Sequence, residues 1–223
     1  MKSINIEYKN GDKLMEYVII VVLSLIVGTM VNIVCNYNEL KQNNLLLNLI
    51  NNSYRNVRYI AVIAVTVFSY ILIYIKYETK YEIVSAYILL IILLISAVTD
   101  IKSSLISNRL IIVGLVLGLI LKIITFDLDT IKNSVIFCLA TGGILFIVSY
   151  VSKGGLGMGD VKLMAVFSLF MDTTTTITVF LMSLILTAVS AIILLLLKKT
   201  GMKQKIPFAP FLLAGFIVYA MFL

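Results

Sequence analysis

Two acidic residues of this 223-residue chain stand where acids are costly to keep. Asp160 closes the run Gly154-Gly155-Leu156-Gly157-Met158-Gly159-Asp160 and opens an apolar stretch, and Asp100 closes another. A charged side chain at the centre of a bilayer costs roughly 2.5–3.5 kcal/mol on insertion scales, and less near the interface. The glycines ahead of Asp160 remove side-chain bulk and let another backbone approach closely. Two carboxylates within hydrogen-bond reach of each other do not readily both ionise, so such a pair shares a proton. It can activate a water as base while polarising a carbonyl as acid, the peptide hydrolysis of aspartic proteases. That chemistry needs no covalent nucleophile, metal or cofactor.

The same residues have plainer readings. An acid at a helix end is commonly a cap or a solvated flank. Asp100 could pair with Lys102, and the glycine run could be a flexible loop. Gly155 and Gly159 also satisfy GxxxG, a helix-packing pattern in membranes, and Lys162 could snorkel to the interface.

Composition narrows the choice. The chain is 61% hydrophobic and 13% charged, with a mean hydropathy of +1.09. Apolar runs of membrane-crossing length recur from end to end without strand-like alternation, which predicts an all-α, polytopic helical membrane protein. Histidine is absent, which excludes Ser-His-Asp and Cys-His catalysis and the histidine-based zinc motifs. Cys35 and Cys138 are isolated in apolar segments and read as small buried hydrophobes. The net charge of +7 is scattered over loops, which suits orientation and lipid headgroups better than nucleic acid.

The elements that must position the acids follow from the apolar runs. About eight transmembrane helices are predicted, at 15–35, 57–76, 83–100, 107–125, 133–151, 160–171, 175–197 and 206–223. The sixth is short, which makes sense if protein rather than lipid surrounds it. Met171-Asp172 and Thr173 to Thr176 read as a tight turn after it. Residues 1–14 form a polar segment, and the first span lacks a clean cleavage site, so it reads as retained. Residues 15–223 read as one transmembrane domain, because no polar stretch is long enough for an independent core.

Loops 36–58, 100–109, 152–162 and 198–205 hold eleven of the eighteen Lys and Arg. The positive-inside rule places these loops in the cytoplasm. Eight spans then leave both termini outside, and Asp100 and Asp160, 60 residues apart, fall level at the cytoplasmic boundary.

Three stretches resemble the prepilin peptidases, the GxGD-type membrane aspartic proteases that process type IV pilins. Asp100-Ile101-Lys102-Ser103-Ser104-Leu105-Ile106-Ser107-Asn108-Arg109-Leu110 is similar to the family's first catalytic segment, with Ser107 where proline is usual. Gly157-Met158-Gly159-Asp160-Val161-Lys162-Leu163 is similar to its GxGD segment. Ile206-Pro207-Phe208-Ala209-Pro210-Phe211 resembles its C-terminal Ile-Pro-Phe-Gly-Pro-Phe. A weaker match is Gly28-Thr29-Met30-Val31-Asn32. The resemblance implies Asp100 and Asp160 as the catalytic pair, with Gly157, Gly159, Lys162, Asn108, Pro207 and Pro210 as supporting motif residues.

It further implies cleavage of prepilin or pseudopilin leaders on the cytoplasmic side of a bacterial cell membrane, after a glycine. The product would serve a type IV pilus, a protein-secretion machine or a DNA-uptake apparatus. Many members carry a zinc-binding domain with two CxxC pairs after the first span and also methylate the new terminus. Here residues 36–56 form a short Asn- and Leu-rich loop with no cysteine instead, so no metal, no cofactor and no N-methyltransferase activity is expected.

Two alternatives compete. A signal-peptide-peptidase-like protease also uses GxGD, but with Tyr-Asp and Pro-Ala-Leu elements where this chain has Thr99-Asp100 and Ile206-Pro207-Phe208. A proton or cation transporter could use the same aspartates, but would be expected to carry them mid-membrane.

Overall fold

The computed structural model describes residues 2–41, 53–124, 128–152, 155–197 and 206–222, with side chains described from Met15 to Cys35 and from Tyr59 onward. The helices are α1 (Lys2–Lys41), α2 (Ser53–Lys76), α3 (Lys80–Ser103), α4 (Asn108–Ile124), α5 (Leu128–Val151), α6 (Met158–Phe170), α7 (Thr173–Leu196) and α8 (Ala209–Phe222). Each answers one expected span, so the chain is an all-α, polytopic membrane protein. Five helices carry apolar stretches long enough to cross a membrane: Met15–Cys35, Tyr59–Lys76, Lys80–Ser103, Leu128–Val151 and Thr173–Leu196. The polar start of the chain is part of α1 from Lys2 onward. The loop expected at 36–56 is narrowed by α1 and α2 at its ends, and its remainder, 42–52, lies outside the described residues.

Contacts divide the chain into two compact units, 1–78 and 79–223. In the first, α1 and α2 pair antiparallel. A Cβ on Gly28 would lie 3.2 Å from the Ile63 Cα, so glycine lets the two backbones close up. One turn on, the buried Asn32 amide donates to Gly28 O at 2.9 Å and to Tyr59 O at 3.4 Å, bridging the helices. Toward the other end of the pair, Tyr17 and Tyr74 meet edge to face, their centroids 5.4 Å apart, and the Tyr74 hydroxyl donates to Glu16.

The second unit is built around α3 and α6. Helix α3 starts at an N-cap: Thr79 Oγ1 accepts from Glu82 N at 3.2 Å, with an acid in the first turn. It ends at Ser104, held left-handed at φ 51°, whose N–H closes onto Asp100 O at 2.8 Å. Helix α6 has 13 residues, about 20 Å at 1.5 Å per residue, well under a bilayer core. Eight of those residues are buried, from Val161 to Phe170, and α6 packs on α3, α4, α5 and α7. Protein therefore surrounds the short helix, as its length demands.

Close approach of α4 to α6 depends on Gly114 and Gly118. A Cβ on Gly114 would stand 2.9 Å from Val166 Cγ1, and one on Gly118 would stand 2.8 Å from Leu169 Cδ2. These two form the helix-packing GxxxG of this unit. The pattern noted at Gly155 and Gly159 does not, because Gly155 lies in the loop before α6 and only Gly159 is helical. On the far side, Gly215 of α8 sits against α7, where a Cβ would lie 3.0 Å from Val179 O.

The turn expected at Thr173–Thr176 is corrected. Only Met171 and Asp172 are non-helical, and the threonines begin α7. Asp172 is the N-cap: its Oδ2 accepts from Thr175 N at 3.1 Å and its Oδ1 from the Thr175 hydroxyl at 2.5 Å. A run of β-branched residues starts a helix once its free N–H groups are satisfied in this way. Asp172→Ala is expected to destabilise the protein by about 1 kcal/mol, read as a lower melting temperature in detergent.

Candidate active site

Asp100 stands one turn before the C-terminal end of α3, and Asp160 is the third residue of α6. The two helices pack together, and Ser85 near the start of α3 donates to Phe170 O at the end of α6 at 3.4 Å. They therefore run antiparallel, which brings the end of α3 to the start of α6. The two carboxylates are close enough for the charge of Asp100 to act on Asp160.

Asp100 is 5% exposed. Its Oδ2 accepts the backbone N–H of Ala209, the first residue of α8, at 3.1 Å, and the Phe208 N–H is also directed at it. These are free donors of a helix N-terminus, where a carboxylate is favoured by both hydrogen bonding and the helix dipole. The Ile206-Pro207-Phe208-Ala209-Pro210 run thus has a local purpose. Pro207 restricts the backbone before the cap, and Pro210 sits in the first helical turn, where a missing N–H costs nothing.

Asp160 turns back on its own helix start. Gly157 is the N-cap of α6 and offers no side chain for capping. Its carbonyl accepts from Asp160 N at 3.0 Å and Val161 N at 3.1 Å, while its N–H donates to the Asp160 carboxylate. This is the acidic half of a capping box. A Cβ on residue 157 would lie 2.8 Å from Asp160 Oδ2, so the first glycine of the motif makes room for the acid. The second has another duty: a Cβ on Gly159 would lie 3.2 Å from Ile106 Cβ. It lets the loop that follows Asp100 lie against α6. The helix-cap reading of Asp160 is therefore met, and the same side chain feels the charge of Asp100.

Asp160 belongs to none of the five long apolar helices. Burial, joined by the nearby charge of Asp100 and opposed by the Gly157 N–H, pushes its carboxyl up to about 7. A carboxyl raised this far keeps its proton until the pH approaches that value, and above it the pair would carry two charges. Any reaction that uses this carboxyl as an acid is therefore expected to slow as pH rises through about 7, and to slow again in acid once both carboxyls are protonated. A pH–rate profile of the purified protein in detergent checks this; a rate still climbing through pH 8 to 9 would contradict it.

The supporting residues fall around the pair. Lys162 Nζ donates to Asn108 Oδ1 at 3.0 Å, joining α6 to the first residue of α4. Gly157 and Gly159 shape the start of α6, and Pro207 and Pro210 flank the amides that hold Asp100. Sequence reasoning did not foresee Ser149 of α5, whose hydroxyl donates to Leu156 O at 2.7 Å. It also missed the amides of Phe208 and Ala209. Backbone donors leave no trace in residue type, and one serine in a long apolar helix carries no pattern.

No curated protein and no solved structure matches the chain. Residues 87–192, which include both aspartates and the glycines between Gly154 and Asp160, match the Type IV leader peptidase family. The protein is a membrane-embedded protease of that general kind, similar over residues 87–192 to the type IV leader peptidase family.

Proposed function

We propose that this protein is an aspartic endopeptidase that removes the leader peptide of type IV prepilin-like proteins at the cytoplasmic boundary of a bacterial cell membrane. Asp100 and Asp160 are the catalytic pair. Asp100, held by backbone N–H groups at the start of α8, takes a proton from water. That water's oxygen attacks the scissile carbonyl carbon, while Asp160 gives its proton to the carbonyl oxygen. Collapse of the tetrahedral intermediate breaks the C–N bond, and the amine leaves with a proton returned through the pair. The substrate brings a polar leader and an apolar helix that lies in the bilayer.

One observation carries this reading: antiparallel α3 and α6 bring two acids 60 residues apart in sequence close enough for the charge of Asp100 to act on Asp160. Their place at helix ends, rather than mid-span, suits a cleavage site just outside the lipid better than an ion path through it. The test is mass spectrometry of a prepilin co-expressed with the protein. A product cut after the leader's last glycine, with an unmethylated new terminus, is expected. An intact prepilin, or a cut deep inside its apolar helix, would sink the proposal.

A further inference from the structure

Hydroxyls buried in apolar helices ordinarily bond back to a carbonyl of their own helix, three or four residues earlier. Here Ser24 donates to Val21 O at 2.8 Å, Thr66 to Val62 O at 2.6 Å, Ser69 to Val65 O at 2.6 Å and Ser183 to Val179 O at 2.6 Å. Ser149 departs from that habit. It is 4% exposed near the end of α5, yet its hydroxyl crosses to Leu156 O at 2.7 Å. The same oxygen lies 3.7 Å from Met158 Sδ.

Leu156 immediately precedes Gly157, the N-cap whose N–H meets the Asp160 carboxylate. The Leu156 carbonyl lies outside any helix, and the Ser149 hydroxyl supplies its donor across to α5. From this geometry we infer that Ser149 is a positioning residue, which pins the loop before α6 so that the Gly157 N–H stays aimed at Asp160. The inference rests on the reading of Asp160 as one of the catalytic pair. It adds a residue from α5 to a site whose other parts come from α3, α6 and α8.

The charges around Asp160 leave the effect readable. Asp100 of α3 acts on it directly, and Lys162 of α6 is held by Asn108 of α4. Residues 142–152 of α5 and its end contain no acidic or basic side chain. Losing the Ser149 bond therefore changes the donor to Asp160 without changing the charges around it.

The experiment compares wild type, Ser149→Ala, Ser149→Thr and Asp160→Asn on a purified prepilin carrying its leader, with full pH–rate profiles. Ser149→Ala is expected to lower kcat about tenfold with KM unchanged, as for a small misplacement of a reacting group. Its alkaline limb should move up by roughly half a pH unit, because the ionised carboxylate loses a hydrogen-bond donor. Ser149→Thr keeps the hydroxyl and should restore both. A wild-type rate and limb in Ser149→Ala overturns the inference. So does a rate loss with an unmoved limb that threonine fails to rescue, since that is mere destabilisation. If the alanine variant does not fold, Ser149→Cys, of similar size and a weak donor, replaces it under the same criteria. Retained cleavage by Asp160→Asn would instead remove the catalytic reading itself, so the two failures are distinguishable.

Discussion

Asp100→Asn and Asp160→Asn are each expected to lower leader cleavage by about 10³-fold or more, with the protein still folded in the membrane. Asparagine keeps the volume of aspartate and, at position 100, still offers an oxygen to the Ala209 N–H. What it loses is the ability to take and give a proton. A pair that shares one proton works as a unit, so the double variant should be little worse than either single one. Rates measured on a purified prepilin, with melting temperatures alongside, decide the matter. Near-wild-type cleavage by either single variant would show that the pair is structural. A melting temperature that collapses with the rate would show that a cap or a packing contact had been removed instead.

Gly157→Ala is expected to cost more activity than Gly159→Ala, although the two residues sit two positions apart in one motif. The methyl group of the first would stand 2.8 Å from Asp160 Oδ2. No real Cβ tolerates that distance, and the atom that must yield is the proposed catalytic one. A displacement near 1 Å in a reacting group costs about 10²-fold, so a loss of that order is expected with little change in KM. The second methyl would meet Ile106 Cβ at 3.2 Å, a side chain that gives by a few tenths of an ångström. A loss of about tenfold or less is expected there. Equal losses from the two substitutions would mean that the glycines supply only backbone freedom, and that the close seat for the carboxylate is irrelevant.

The agreement between sequence and structure is uneven, for physical reasons. Apolar runs long enough to cross a bilayer can do little else, so every expected span has its helix. The short α6 was legible from its length alone, because a 13-residue helix cannot leave its ends in lipid. Boundaries fared worse. Thr173 to Thr176 have turn-like composition, yet Asp172 caps them into α7, since one side chain at the right φ and ψ outweighs the weak helix preference of threonine. Ser104 follows the same logic at the end of α3, where a residue other than glycine takes the left-handed position at φ 51°. The plainer GxxxG reading of Gly155 and Gly159 falls away, because that spacing does not say whether both residues lie in a helix.

The sequence by itself determined the kind of protein and the kind of chemistry open to it. Its apolar runs required a helical membrane bundle. The absent histidine removed most hydrolytic mechanisms, and the motifs around Asp100 and Asp160 pointed to leader peptidases. Only the tertiary structure decided how the acids are held. Antiparallel packing of α3 on α6 brings the two carboxylates together, the start of α8 gives Asp100 its backbone donor, and Gly157 seats Asp160 against its own helix cap. The reason is the same in each case: these contacts are made by backbone groups and by empty space where a Cβ would stand. Neither is written in the identity of a single residue until the chain has folded around it.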